Sequence, residues 1–599
     1  MRRRGVFGYN LPANSGVSVQ PADFSIAGVI GRFARGLVSV VDVNNTTELA
    51  TKCGGYFTGF YGRYVLDTFF KNLRGSAGKL YVKMFVASDA VQASATIQDT
   101  AGSPQNTLKI AAAFQGIVDK SFDGNLTGYT ITTGTRSSTT ITASASLGAT
   151  SIQLASVAQV VVGDILQITS SGPTVHYAKV SAINEGTKVA TVTALTNAVA
   201  ANDTVGTYGF QIVTYSKSST GVVSKVDLTE NTIWLSLESE NVQYYVNNAF
   251  ANHPYLSLTD LVSTSTPLPK RYPANVSTVT FLSGGSNGTA PSSNSDWNLY
   301  SAFDALPIRF LFNTDTTLSG VNTDGEAYCI GRLDSPIWLY ALPAQQTINQ
   351  YITLGNSYQR SNQVEGVIIG GWRNVSDPIG AGTNPVLRIP THGAVVGAWI
   401  YTAFTALGVH QAPAGDAVAL LGFTTTSDAT EDPANGVTED NRTAILAAGV
   451  NLVQNLPGVV GLSLRSFRTP TTGQFMKWGT DLLLENFIKV SSVESLHFAE
   501  SRPNRITALQ EYGRAIRDFG MRLDQGSFPY GIDPNGAFGS FTRADGKPAT
   551  FDDKYIVQAD QFNNPNASIQ AGEGNILISF LPTPLLESLG IGIRPIIPL

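Results

Sequence analysis

Along "KLYVKMFVA" (79–87) apolar and polar side chains alternate, with Leu80, Val82, Met84 and Val86 on one face and Tyr81, Lys83 and Phe85 on the other. That period of two predicts a strand. Just upstream, in "RYVLDTFFKNLRG", the period lengthens. Leu66, Phe69, Phe70 and Leu73 recur at helical spacing, and Gly75 stands where a C-terminal cap belongs. "TTELATKCGG" predicts a short helix ended by Gly54. The opening therefore reads as loop, helix, helix, strand, in an α/β style. Residues 1–20 hold Gly and Asn without apolar periodicity and read as an arm.

The pattern changes near residue 90. From 91 to 233 the chain is rich in Ser, Thr, Val and Gly. "TSIQLASVAQVVVGDILQI", "HYAKVSAI" and "KVATVTAL" are short alternating runs, with no helical period between 135 and 207. This predicts a small all-β sandwich or barrel over 140–206. Helical spacing returns in "NVQYYVNNAF", "DWNLYSAFDALP", "AVVGAWIYTAFTALGV", "NRTAILAAGVNLV" and "RITALQEYGRAIRDFGMRL". Strands are expected at "VTFL", "IRFLFNT", "IWLYAL", "KYIVQAD" and "NILISFL". The tail "SLGIGIRPIIPL" alternates Ile with small residues and ends in prolines, as a strand-forming arm would. The fold class expected is mixed α+β and multidomain, an α/β-type core carrying an inserted all-β module and extended terminal arms.

With 599 residues the chain exceeds one hydrophobic core. Charged residues make up 14%, well below the usual quarter. Interface cores are depleted in charge, so this composition fits a surface covered by further copies of itself. The net charge is −5, and no long basic run exists to form a nucleic-acid groove. "MRRRG" is followed by no apolar stretch, so an export signal does not fit, and no run of 18 apolar residues predicts a membrane span. Cys53 and Cys329 stand far apart in unrelated contexts and read as buried free thiols, in keeping with a reducing compartment.

In "IAGVIGRFARG" (26–36), Gly28, Gly31 and Gly36 lie near Arg32 and Arg35 but fit neither GxGxxG nor GxxxxGK[ST]. "SGGSNG" (283–288) reads as a strand-to-loop turn with exposed amides, which by itself is weak evidence for an anion site. His176, His253, His392, His410 and His497 are scattered, without metal-ligand spacing. "GLSLRS" lacks the second glycine of a nucleophile elbow, since Arg465 stands there. No catalytic residue, cofactor or metal is assigned, and the chain reads as a non-enzyme.

Several stretches together resemble the tail sheath proteins of contractile bacteriophages. "IAGVIGRFARGLVSVVDVNNTTELATKCGG" resembles the family's N-terminal strand, Gly-Arg turn and Gly-Gly ending. "VLDTFFKNLRGSAGKLYVKMF" is similar to its Phe-rich helix and following strand. "GFQIVTYSKSSTGVVSKVDLTENTIWLSLESENVQYYVNNAFANHPYLSL" and "FLSGGSNGTAPSSNSDWNLYSAFDAL" resemble its strand–strand–helix segment and its Gly-Gly-x-x-Gly loop. "HGAVVGAWIYTAFTALGVHQAPAG" and "AAGVNLVQNLPGVVGLSLRSFRT" resemble its helix to an Ala-Pro-Ala turn and its Gly-Val-Asn strand. The resemblance spans roughly 22–90, 108–130, 208–310 and 390–599, with 140–206 extra, Leu37 in place of a proline, and "LSLRSFRT" in place of Trp-Gly-Ala-Arg-Thr. "IAGVIGRFARG" then reads as a strand-to-turn element, and "IAG" starts a structural core.

The resemblance implies a helical polymer of identical subunits around a tail tube, shortening on a baseplate signal to drive the tube through a host envelope. Implied partners are further copies of the chain, the tube protein, and the baseplate and tail terminator proteins, with no direct nucleic acid and no membrane insertion. The implied place is the virion tail, assembled in the host cytoplasm. It divides the chain into an N-terminal arm (1–21), a core in two parts (22–90 and 346–485), and a β-rich domain (91–139 and 207–345). The β-module (140–206), a tube-facing α/β domain (486–585) and a C-terminal arm (586–599) complete the division. Val6, Phe7, Tyr9, Ile591, Ile593, Ile596 and Ile597 are the expected inter-subunit arm contacts. A 20-residue arm could reach about 65 Å. Arg502, Arg505, Arg514, Arg517 and Arg522 outnumber nearby acids and are the expected tube-facing residues. A sheath from a phage-derived injection device or bacteriocin satisfies the same residues. A secreted polysaccharide-binding or -cleaving β-protein is the alternative of another class.

Overall fold

The computed structural model describes residues 17–100, 103–115, 126–170, 174–217, 222–226, 234–415 (except 252, 254, 264, 265, 381 and 384), 418–424, 439–455, 461–473, 476–526 (except 501) and 536–585. The chain begins with strands β1 (Ile26–Gly31) and β2 (Val41–Val43), helices α1 (Thr46–Cys53) and α2 (Gly62–Asn72), and strand β3 (Lys79–Met84). A long β-rich stretch follows: β4 (Ser94–Gln98), β5 (Asn106–Ala112), β6 (Leu126–Ala143), β7 (Ser151–Leu154), β8 (Ile165–Thr169), β9 (Val175–Asn184), β10 (Val189–Val192), β11 (Thr204–Lys217) and β12 (Val223–Lys225). After the single turn α3 (Val246–Ala249) come β13 (Leu256–Asp260) and β14 (Val276–Phe281). The α/β rhythm then resumes with β15 (Phe310–Asn313), α4 (Ser319–Gly331), β16 (Ile337–Ala341), α5 (Ile348–Ser357) and β17 (Gly366–Gly370). The hairpin β18 (Arg373–Ser376) and β19 (Val386–Ile389) precedes α6 (His392–Tyr401), α7 (Glu439–Ala447), β20 (Val450–Asn455) and β21 (Leu462–Leu464). Last are α8 (Gly479–Leu496), α9 (Ile506–Asp524), α10 (Phe551–Lys554), β22 (Tyr555–Gln558), α11 (Asn566–Gln570) and β23 (Leu577–Phe580).

One sheet organises the core. Its order is β21-β20-β17-β16-β15-β1-β3-β2, with six parallel strands in the middle and an antiparallel strand at each edge. Such a sheet is covered on both faces, so its strands read as continuous apolar runs. Phe310, Phe312, Ile337, Leu339, Val367 and Ile369 point to the side of α2, α6, α8 and α9. Leu311, Trp338, Tyr340 and Ile368 point to the side of α4, α5 and α7. The alternation expected along β3 is observed, with Leu80, Val82 and Met84 buried in the first cluster and Tyr81 against the second. Helix α1 starts where Asn45 accepts the Glu48 N–H and stops at Gly54, whose φ is 85°.

Three expected helices take other forms. "NVQYYVNNAF" forms only the turn Val246–Ala249. "DWNLYSAFDALP" forms two 3₁₀ turns, Asn294–Trp297 and Tyr300–Phe303, because Asn298 leaves the helical region (ψ 72°) while Trp297, Tyr300 and Phe303 are pulled under the sheet. "NRTAILAAGVNLV" splits into α7 and β20. Gly449, at φ 76° and with a virtual Cβ 2.7 Å from Pro470 Cα, makes the turn between them. Helices α4, α5 and α8 were not singled out by the sequence pattern.

The β-rich stretch between residues 138 and 206 forms a six-stranded barrel, closed in the order β11-β8-β9-β10-β7-β6 by pairing of β6 with β11. It has its own apolar core, including Ile141, Leu166, Ile168, Val180 and Val205. The chain enters on β6 and leaves on β11, which stay paired from Leu126↔Lys217 to Thr140↔Thr204. At its base, buried Asp164 accepts from Arg136 (2.7 Å) and Asn241 (2.6 Å). Glu238 there meets Lys179 (2.6 Å) and Arg271 (2.9 Å).

Candidate functional site

In a doubly wound sheet, ligands bind outside the carboxyl ends of the strands where the winding direction reverses. Here β1 leads to β3 on one side and β15 leads to β16 on the other, so that point lies between β1 and β15. Arg32 follows β1, and Asp315 lies two residues past β15. The Asp315 carboxylate, fully buried, accepts from the Arg32 N–H (2.7 Å), Arg32 Nε (3.2 Å), the Tyr61 N–H (3.2 Å) and Thr314 Oγ (2.7 Å). Tyr61 is the N-cap of α2, so the carboxylate sits at the positive end of an 11-residue helix. Burial raises its pKa, opposed by Arg32. The crevice is thus filled by a group of the protein itself.

The glycines of "IAGVIGRFARG" serve close packing. A Cβ at Gly28 would lie 2.9 Å from Leu311 Cδ1, and one at Gly31 would lie 2.0 Å from Thr314 Oγ1. Gly36 exchanges backbone hydrogen bonds with Gln115, tying the core to the neighbouring β-domain. Arg35 is buried, donates to the Thr51 carbonyl, and lies 5.0 Å from the centres of the Phe114 and Tyr255 rings. Asn287 and Gly288, which end the "SGGSNG" loop, and the following 289–291 close a cleft of about 280 Å³ with Arg32, Phe33, Phe60 and Phe85.

The remaining chemistry-bearing residues are dispersed. Among the described residues no three His, Cys, Asp or Glu side chains gather as a metal site would need. Cys53 and Cys329 are both buried; burial pushes the Cys53 thiol up to about 12 and raises the Cys329 thiol well above its ordinary range. Ser463 of "GLSLRS" is fully buried in β21. His392 donates to the Asn313 carbonyl at 2.9 Å and is held neutral by burial. Among the described residues no helix is long and apolar enough to cross a membrane.

Val6, Phe7, Tyr9, Ile591, Ile593, Ile596 and Ile597 lie outside the described residues. The five arginines of the C-terminal region do not form one patch. Arg502, Arg505 and Arg514 are exposed, and the outer face of α9 sets Arg514 between Glu511 and Asp518. Arg517 pairs with Asp552 (2.6 Å), and Arg522 donates to the Val19 carbonyl (2.7 Å). Around α8 the chain's two described ends converge. Ser495 accepts from the Gln20 N–H (2.8 Å) and Ser491 from the Ala22 N–H (3.0 Å). Strands β22 and β23 form a separate two-stranded sheet, after which the description stops at Leu585. An apolar groove of about 460 Å³ separates α8 from this sheet, lined by Ile488, Leu496, Ile516, Ile578 and Phe580. The sequence did not reveal Asp315; its only signal is an acid just past an apolar strand, in "FLFNTD".

No family model matches the chain, and no curated protein matches it. Among solved structures the chain is similar to the sheath tail protein of Desulfitobacterium hafniense, at 10% identity and a TM-score of 0.45, over 90% of this chain and 91% of that one. It is similar to the sheath tail protein of Listeria innocua, at 12% identity and a TM-score of 0.45, over 96% and 98%. It is also similar to the sheath of an extracellular contractile injection system in the contracted state, at 17% identity and a TM-score of 0.38, over 49% and 73%. All three of these neighbours are sheath proteins.

Proposed function

We propose that this chain is the structural subunit of a contractile tail sheath. It polymerises helically around a tail tube and shortens to drive the tube through a host envelope for genome ejection. It works without catalysis; the energy is stored in the extended lattice at assembly. Its partners are further copies of itself, the tube protein, and the baseplate and tail terminator proteins, and it is assembled in the host cytoplasm into the virion tail.

The observation that carries this reading is the two-stranded sheet β22–β23, close before the end of the described chain and across a groove from α8, the helix that holds Gln20 and Ala22 near that chain's start. A two-stranded sheet with open edges takes up added strands through main-chain hydrogen bonds, with little demand on sequence. In this reading the segments bearing Val6, Phe7 and Tyr9 of one copy, and Ile591, Ile593, Ile596 and Ile597 of another, add to that sheet. About five net-favourable bonds at ~1 kcal/mol each tether one site, and many copies acting together make the lattice strong. Arg502, Arg505 and Arg514 are exposed and available to an acidic tube surface, and the barrel of 140–206 is read as an insertion that projects away from the lattice. The sheath of a phage-derived injection device or bacteriocin would have the same design; capsid and terminase genes beside the coding gene distinguish the phage.

Negative-stain electron microscopy of the purified chain, with and without residues 1–20, tests the reading. Hollow cylinders from the full chain and single particles from the truncation are expected. A full chain that stays monomeric both alone and with its cognate tube protein would overturn it.

A further inference from the structure

One wall of the groove between α8 and β23 is a single face of α8 and the turn after it, where Glu485, Lys489, Val493, Leu496 and Glu500 recur at helical spacing. The other wall is the chain from Gly574 to Phe580. Glu485 to Leu496 spans about 16 Å of helix, and Gly574 to Phe580 about 20 Å of extended chain, so the groove is as long as about six extended residues. The Phe580 end lies beside the start of the α8 wall: Phe487 packs on Phe519 of α9 (5.8 Å), and Gly520 packs on Tyr555, the register partner of Phe580. The Gly574 end lies beside the chain that follows α8, where Asn504 donates to the Glu573 carbonyl (2.8 Å).

The groove is unsatisfied in three ways. Val493 is 63% exposed on an apolar wall. Ser492 Oγ, on a side chain that lines the groove at 5% exposure, has no hydrogen-bond partner among the described residues. Lys489 offsets Glu485 at the Phe580 end, whereas Glu500 at the far end has the His497 imidazole (3.2 Å). The chain's own tail answers each of these. Leu585, the last described residue, lies five residues past Phe580 and packs against the core cluster, as Phe580 does. Beyond it, "LGIGI" (589–593) puts Leu589, Ile591 and Ile593 on one face of an extended segment and Gly590 and Gly592 on the other. The apolar row suits the apolar walls, and the bare glycine row lets main chain approach Ser492 Oγ. Arg594 follows at once and is the only cation in 586–599. A segment entering at the Phe580 end and running antiparallel to β23 covers about 16 Å from 589 to 594, which brings Arg594 to Glu500.

We propose that residues 589–594 of the same chain occupy this groove in the free subunit, holding the C-terminal arm in cis until a lattice takes it up. A segment on so short a tether acts at an effective concentration on the order of millimolar, which a second copy at micromolar concentration does not match. In a lattice the same segment from a fixed neighbour makes the same contacts, so the exchange costs little. The cis seat stands without the sheath reading, because every group in it belongs to one copy; its part in restraining assembly rests on that reading.

Amide hydrogen exchange on the full-length monomer, isolated by size exclusion, tests the seat without any substitution. Peptides covering 588–597 should exchange about tenfold more slowly than an unstructured chain, at a rate that does not change on dilution. Exchange there at the unstructured rate overturns the proposal. Disulfide trapping identifies the occupant, and the native Cys53 and Cys329 are buried and do not interfere. Val493→Cys with Ile593→Cys, in a mixture of isotope-labelled and unlabelled copies, should pair within one copy. Pairing mainly between copies overturns the proposal. So does trapping no faster than with Leu147→Cys, on the exposed surface of the barrel, in place of Val493→Cys, or trapping of Val493→Cys by Val6→Cys in preference to Ile593→Cys. Formation of cylinders by the same chain is a separate readout, so failure of the cis seat and failure of the sheath reading are told apart.

Discussion

Asp315 holds Arg32 twice, through its backbone N–H at 2.7 Å and its guanidinium Nε at 3.2 Å, across 283 residues of sequence. The pair closes the point at which a sheet of this winding would admit an anionic ligand, and it does so with the same donors a phosphate would use. Asp315→Ala leaves the N–H groups of Arg32 and Tyr61 unpaired in a buried crevice. It is expected to cost about 3–5 kcal/mol, the usual result of removing one partner of a buried pair. Urea denaturation followed by tryptophan fluorescence measures this, and a loss under 1 kcal/mol would show that the crevice is not held by this carboxylate.

Helix α6 approaches α2 so closely that two glycines are required. A Cβ at Gly397 would stand 2.3 Å from the Phe69 carbonyl oxygen, and one at Gly393 would stand 2.5 Å from Val65 Cγ1. The Phe69 oxygen is backbone and cannot step aside, so Gly397→Ala must push the two helices apart. A destabilisation of about 1–3 kcal/mol is expected, with a smaller effect at Gly393, where the backbone contact, Val65 O at 3.0 Å, is looser than that at Gly397. Thermal melts of the two variants should rank them in that order, and the reverse ranking would contradict the packing described.

The strands of the core were legible because burial on both faces makes them uninterrupted apolar runs, as in "IRFLFNT" and "IWLYAL". The barrel strands were legible because one face is solvated and they alternate. What the sequence hid was mostly long-range. Tyr300 and Phe303 have helical spacing, yet the sheet draws them into 3₁₀ turns. Helix α8 is buried on most of its sides because the sheet, α9 and the residues before β1 all cover it, and polar Asp481, Asn486, Ser491 and Ser492 are buried among its apolar residues, so no amphipathic stripe marks it. Asp315 carries no local signature at all, since its partners come from two other elements. The arginines after residue 500 illustrate the same limit, because counting them by sequence could not show that Arg517 and Arg522 are engaged within the chain.

Two buried groups should give this protein opposed pH dependences in one window. Asp481 accepts from the Trp478 N–H at the start of α8, and burial pushes its carboxyl up to about 7. The folded state therefore keeps a proton the unfolded chain has lost, and this group lowers stability as pH rises from about 4 to 7. His392 is pushed down to about 4 by burial, so below its ordinary range the unfolded chain takes up a proton that the folded state refuses. It lowers stability as pH falls from about 6.5 to 4, and each effect is on the order of 3 kcal/mol. Asp481→Asn should expose the histidine slope, so that the urea midpoint drops on acidification, and His392→Phe should expose the opposite one. If both variants track the wild type between pH 4.5 and 6.5, the two groups do not titrate as described.

The barrel should be separable from the rest. Thr139 and Val205 face each other in register on β6 and β11, and a facing antiparallel pair is about 4.5–5.5 Å apart, the span that a two-residue hairpin closes. Replacing residues 140–204 by Asn-Gly would cap the β6–β11 ribbon where it now opens into the barrel. The cut removes Ile141, Leu166, Ile168 and Val180 of the barrel's apolar cluster, leaves Val205 of that cluster, takes Ile165 from the neighbouring β-domain's cluster, and removes none of the core-sheet cluster. At the base, Glu238 loses Lys179 but keeps Arg271, while Arg136 and Asn241 lose Asp164 just where solvent would replace it. The shortened chain is therefore expected to unfold within about 0.5 kcal/mol of the full chain for the core transition. If the barrel is an outward insertion, the shortened chain should also assemble into the same cylinders. An insoluble product, or a core transition lowered by several kcal/mol, would instead make the barrel part of the folding unit, with its buried base serving as a structural joint.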